Sequence, residues 1–257
     1  MTTIGGQGTE EASQMAVSDL LSSLRGVFGD SLVTVVRFGS AVAGEVLPGH
    51  SDTNLLVIVD ALPLALLVQK AAAVQRWTAA GNPPPLLLTL DEWQSSSDIF
   101  AMEYADILHR HQVLLGEAPF AGITVATEDL RLHVEREAMG KLLQLRRAIM
   151  SVGADESKQL QLLLNGLSTM MVLFRGVLRV GGQEPSMDYV MLSREVAAVV
   201  GFEVQPFERL VQQARRAVQI PLVEVQPMLL GVLDALGRLV AHLDRAGGSA
   251  RSPAAAT

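Results

Sequence analysis

The chain of 257 residues contains no cysteine. That excludes a disulfide framework and any thiolate-held metal centre. Aromatic residues make up only 4% and charged residues only 18%, against a hydrophobic fraction of 49%. So few charges on so apolar a chain exclude a disordered protein. There is no long hydrophobic run either. The longest uncharged apolar stretch lies between Lys158 and Arg175, is interrupted by Gln159, Gln161, Asn165, Ser168 and Thr169, and is shorter than a bilayer requires. The first residues, MTTIGGQGTEEASQ, lack the basic start and apolar core of a signal peptide. A cytoplasmic protein is expected. No Gly-x-x-x-x-Gly-Lys loop and no His-Glu-x-x-His pair occurs.

The formal net charge is -7, which argues against a protein that coats nucleic acid. The charge is unevenly spread. Residues 1–125 carry 5 Lys and Arg against 13 Asp and Glu, and residues 126–257 carry 15 against 14. The asymmetry suggests two parts with different roles. A polynucleotide would meet an acidic face on the first part, which favours a small or cationic partner.

The hydrophobic pattern divides at the same place. Residues 1–8 read as a tail, and Thr9 starts a helix that Gly29-Asp30 closes. LVTVVRF (32–38), TNLLVIV (53–59) and LLLTL (86–90) read as buried strands. A helix is expected from Pro63 to about Ala80, GNPPP (81–85) as a stiff turn, a short helix at 97–109, and a brief strand at HQVLL (111–115). After Ala126 only helices are expected: 127–150, 154–180, 188–200, 205–217 and 222–246. The second of these is apolar almost all round and reads as the centre of a bundle. These readings give domains at 9–122 and 126–247, with a disordered tail at 248–257.

One stretch carries chemistry. Val36-Arg37-Phe38-Gly39-Ser40 is followed, after eleven residues, by Asp52-Thr53-Asn54-Leu55-Leu56-Val57-Ile58. A strand, a Gly-Ser turn and a second strand opening on Asp-x-Asn form a recognisable order. Here the chain resembles the polymerase β-like nucleotidyltransferase superfamily, over about residues 30–118. It is most similar to bacterial small-molecule nucleotidyltransferases of the aminoglycoside-modifying type, in which a helical domain follows. Asp98-Ile99-Phe100 with Glu103 and Asp106-Ile107, and Val113-Leu114-Leu115-Gly116-Glu117, look like the same group. The resemblance implies an α+β fold: a nucleotidyltransferase-type mixed sheet with helices, then an all-α helical bundle domain. It implies an NTP and Mg²⁺. Gly39 would let the backbone approach phosphate oxygens, and Ser40 would donate its hydroxyl. Asp52 and position 54 alternate onto one face of a strand, where two carboxylates would hold magnesium.

The sequence departs from that pattern twice. Position 54 is asparagine, which offers an oxygen without a charge. The third carboxylate expected within the next strand is missing from LLLTL, leaving Asp91 at the strand end, or Glu103, as stand-ins. Asp91 serves equally well as a helix cap. Arg175 and Arg179, four apart on the apolar helix, are candidates for phosphate binding or for an internal ion pair. His109 and His111 face together only if both lie on a strand. Arg238 and His242 share a helix face but are too close in sequence for the Arg–His motif of the ribonucleases that accompany minimal nucleotidyltransferases.

The expected function is Mg²⁺-dependent transfer of a nucleoside monophosphate from an NTP to a small-molecule hydroxyl, or to a protein. The alternatives are a catalytically impaired nucleotide-binding or interaction module, because Asn54 replaces a metal carboxylate, and an interaction protein that dimerises through its helical half.

Overall fold

The computed structural model describes residues 7–39, 42, 53–62 and 74–248, and of residues 7–16, 27 and 248 the backbone only. The expected tails at 1–8 and 248–257 and the helix expected from Pro63 lie wholly or partly outside them. The chain forms two compact units. One comprises the described residues up to 97 together with 106–124; the other comprises 98–105 and everything from Val125.

The first unit is built on four strands: β1 (Leu32–Phe38), β2 (Asn54–Val59), β3 (Leu86–Thr89) and β4 (His111–Gly116). Their order is β3-β2-β1-β4; β1 runs antiparallel to β2 and β4, and β2 runs parallel to β3. Every residue of β2 from Leu55 to Val59 is buried. A strand covered on both faces has no polar alternation, which is why TNLLVIV reads as an unbroken apolar run. One face is covered by α1 (Gln7–Phe28), whose Val17, Leu20, Leu24 and Phe28 recur at helical spacing against Val35, Leu55, Val57, Val59 and Trp77. The helix begins two residues before the expected Thr9. On β4, Gly116 has φ +72°, and a Cβ there would stand 2.0 Å from the Val33 carbonyl oxygen. Only glycine lets the two strands approach at that point.

LLLTL ends as a strand at Thr89. There the hydroxyl accepts from the Glu92 N–H at 3.2 Å, and the Glu92 carboxylate accepts from the Thr89 N–H at 2.8 Å. This reciprocal cap opens α2 (Leu90–Ser95), so Leu90 belongs to the helix. Trp93 on α2 is fully buried; its indole N–H donates to the Pro119 carbonyl and its ring tilts against Phe120. Helix α3 (Ala101–His109) follows.

The second unit contains α4 (Thr127–Val152), α5 (Glu156–Val180), α6 (Tyr189–Val200), α7 (Gln205–Ala214) and α8 (Val225–Gly248). Between Met170 and Leu178 all but Val172 of α5 are buried, so this part of the helix is enclosed on all sides. By length and composition α5 is also the one described helix apolar enough to cross a membrane, with half of its most apolar window buried. Gly176 sets its distance from α4, since a Cβ there would stand 2.6 Å from a Val134 methyl. Phe174, Phe202 and Phe207 pack with ring centroids 5.0–5.7 Å apart.

Arg131 reads from sequence as one member of a salt-bridged helix surface. In the structure it is buried. Its guanidinium donates to Glu128 and Glu135 on its own helix and to the Leu243 carbonyl near the end of α8, at 3.1 Å. The bonds to Glu128 chiefly, with Glu135, raise its pKa against the opposing effect of burial. A cation at the carboxyl end of a helix also meets the negative pole of the helix dipole.

Two substitutions test this packing. Gly176→Ala forces α4 and α5 apart and lowers stability by about 1–3 kcal/mol. Arg131→Met strands two partly exposed carboxylates and a carbonyl, at a cost of about 2 kcal/mol. Both should appear as lower urea midpoints with unchanged m-values.

Candidate functional site

β1 ends at Phe38, and Gly39 follows with φ +80°. This left-handed conformation is strained for any residue with a Cβ. It turns the chain out of the strand, and the Val42 N–H donates back to the Gly39 carbonyl at 3.1 Å. β2 begins at Asn54, paired directly with Phe38. A Cβ at position 39 would stand 3.0 Å from the Asn54 side-chain amide nitrogen. Gly39 and Asn54, fifteen residues apart in sequence, thus meet at one end of the sheet. Ser40 and Asp52 lie outside the described residues.

The start of β2 is held from a direction the sequence did not reveal. The buried Thr53 donates its N–H to the Asn82 Oδ1 at 3.2 Å, and Asn82 donates to the Trp77 carbonyl at 3.5 Å. The Trp77 indole N–H donates to the Pro83 carbonyl at 2.7 Å. GNPPP is therefore a clamp on the backbone between Asp52 and Asn54 as well as a turn. The asparagine inside it was the available signal.

The structure separates Asp91 from Gly39 and Asn54. Thr89 pairs with Val59, at the opposite end of β2 from Asn54. Five residues of strand span about 17 Å. Asp91 stands exposed in the first turn of α2, a position its charge suits, while the cap itself is Thr89. Leu86 and Leu88 pair with Leu56 and Ile58, and so share the face of Asn54; Leu87 and Thr89 lie on the other. The β3 positions on that face are leucines.

Arg175 and Arg179 belong to the helical unit, where Arg175 is buried on α5. Glu103 stands in the first turn of α3, with a carboxylate oxygen 3.9 Å from Nδ1 of the buried His133. That ring nitrogen also accepts from the Met102 N–H, an otherwise unpaired donor at the helix start. His109 closes α3 and His111 opens β4, so the two do not share a strand. The His111 ring packs edge-on to Phe120, with Nδ1 2.8 Å from the Ile107 carbonyl. Arg238 pairs with Asp234, and burial, with Arg245 nearby, holds the His242 imidazole below its ordinary pKa. Among the described residues no group of three His, Asp or Glu could hold a metal ion.

No protein-family model matches the chain, and no curated protein matches its sequence. Among solved structures it is similar to a spectinomycin adenyltransferase from Enterococcus faecialis, determined with ATP and spectinomycin. The TM-score is 0.57 at 13% identity, over 90% of this chain and 99% of that one. At this identity the likeness establishes the fold: a nucleotidyltransferase-type α+β sheet followed by helices.

The geometry at the strand ends makes two substitutions informative. Gly39→Ala costs about 1–2 kcal/mol from its backbone conformation. Asn82→Ala removes the acceptor of a buried N–H and costs about 1–3 kcal/mol. Urea unfolding of the full chain measures both; Asn82→Asp, which keeps the acceptor oxygen, should lose less than Asn82→Ala.

Proposed function

We propose that the chain binds a nucleoside triphosphate and transfers its nucleoside monophosphate to a hydroxyl of a small molecule. The observation that carries this reading is the meeting of Gly39 and Asn54 at one end of the β1–β2 ladder. The shared fold with an adenyltransferase supports it. Gly39, without a side chain, leaves its backbone open to phosphate oxygens, and Ser40 donates its hydroxyl to them. Magnesium binds through one or two carboxylates completed by substrate phosphates. Asp52 with the amide oxygen of Asn54 fits one such ion and provides too little charge for two. When bound, the ion offsets triphosphate charge and polarises the phosphorus under attack. The Asn82 clamp holds the Thr53 backbone at the entry to the strand that carries Asn54.

A second reading rests on a specific observation. Position 54 carries no charge, and the β3 residues on its face of the sheet are Leu86 and Leu88, the partners of Leu56 and Ile58. No carboxylate from that strand activates the attacking hydroxyl. On this reading the chain binds the nucleotide and does not transfer it.

Calorimetric titration with each NTP, with and without Mg²⁺, is the first test. Mg²⁺-dependent binding is expected, weakened at least about tenfold in Asp52→Ala, the loss of one charge-assisted contact. Pyrophosphate release across a panel of hydroxyl-bearing acceptors is expected from the unmodified chain. Binding without release, with turnover appearing in Asn54→Asp, selects the second reading. No binding at millimolar nucleotide overturns both.

A further inference from the structure

Helix α4 is apolar on two sides. Leu130, Val134, Ala138 and Leu142 face the core of the helical unit. Leu132, Met139, Leu143 and Met150 remain exposed, at 44%, 41%, 42% and 77%. Isolated exposed apolar residues are ordinary; an aligned row of them is not. At about 100° per residue, Met139 and Leu143 lie about 20° to either side of Leu132, and Met150 returns to its line. The row is about 27 Å long.

The row is also symmetric. Leu132 and Met150, and likewise Met139 and Leu143, are equidistant in sequence from Lys141. Its flanks follow the same symmetry: Glu135 and Arg146 lie on one side, Arg136 and Arg147 on the other. An interface across a two-fold axis requires that residue i meet j while j meets i, and this arrangement satisfies it.

We propose that α4 pairs antiparallel with α4 of a second copy, across a two-fold axis at the level of Lys141 along the helix, a residue that itself lies on the side opposite the row. Leu132 then meets Met150 of the second copy, and Met139 meets its Leu143. A two-fold axis perpendicular to the plane of two helices keeps each flank facing its own equivalent. Glu135, whose carboxylate also accepts from Arg131 of its own chain at 2.6 Å, therefore faces Arg146 of the second copy, an attractive pair formed twice. Arg136 faces Arg147 of the second copy, a repulsion moderated by Glu137, whose carboxylate lies 4.0 Å from Arg136 in the same chain. A different acidic helix or a lipid surface would gain nothing from the symmetry of the row.

The complete absence of cysteine gives a direct test. A Leu132→Cys/Met150→Cys chain cannot close a disulfide on itself across about 27 Å of helix. It is expected to form disulfide-linked dimers on oxidation at dilute concentration, whereas Leu132→Cys alone, with its two copies at opposite ends of the pairing, is expected to form few. Equal cross-linking of both overturns the register. Sedimentation equilibrium from micromolar to several hundred micromolar should show a dimer that Met139→Asp weakens at least about tenfold, with circular dichroism unchanged. Charge reversal separates this pairing from general stickiness. Arg136→Glu should tighten the dimer by relieving the repulsion, and Arg146→Glu should weaken it by opposing Glu135. Identical effects of the two reversals, a monomer at all concentrations, or binding to anionic vesicles without dimerisation overturns the proposal.

Discussion

The antiparallel ladder of β1 and β2 ends with Phe38 opposite Asn54, and the candidate site exists because of that last rung. The ladder is sustained by side chains on both faces of β2, where Leu55, Leu56, Val57, Ile58 and Val59 are all buried. Sliding one strand by a single residue would exchange the two faces and move Asn54 away from the Gly39 turn. The register is thus fixed by apolar contacts that take no part in chemistry. The polar ends of the strands are placed as a consequence.

The two units use the apolar surplus of the chain differently. In the first, a thin sheet is covered on both faces, which leaves little surface for polar residues along its central strands. In the second, part of one helix is enclosed by the others, and Gly176 on α5 and Gly231 on α8 let α4 and α7 approach where a methyl group would collide. The near balance of 15 basic and 14 acidic residues beyond position 125 is partly internal: Arg131, Glu128 and Glu135 form one connected group, and Arg215 bridges to the Asp188 that caps α6.

Much of this was legible in the sequence where local pattern decides. The strands at 32–38 and 54–59 are β-branched runs bounded by turn formers, and the helices after Ala126 follow apolar periodicity. The proximity of Gly39 to Asn54 was legible as a motif spacing. What escaped depends on contacts between distant residues. Thr89 reads as a strand residue, and only its reciprocal bond with Glu92 shows that it ends the strand. Asn82 reads as part of a turn, since nothing local says that its side chain reaches the Thr53 backbone. Arg131 has the spacing of a surface salt bridge, and its burial follows from a helix that begins almost a hundred residues later.

That last contact bears on how the helical unit comes into being. Arg131 and the Leu243 carbonyl are 112 residues apart, and the bond joins the first long helix of the unit to its last. At about 5–20 residues per second, a ribosome adds the intervening chain in roughly 6–20 s. For that interval the growing chain holds the guanidinium, with only its own helix's carboxylates for company, beside an apolar face that α8 has yet to cover. Helix α4 can pack on α5 as soon as both exist, but its contact with α8 waits for the final helix. A nascent chain stalled before residue 243 would therefore leave the α4 surface that α8 covers open to chaperones and proteases, whatever the stability of the finished protein.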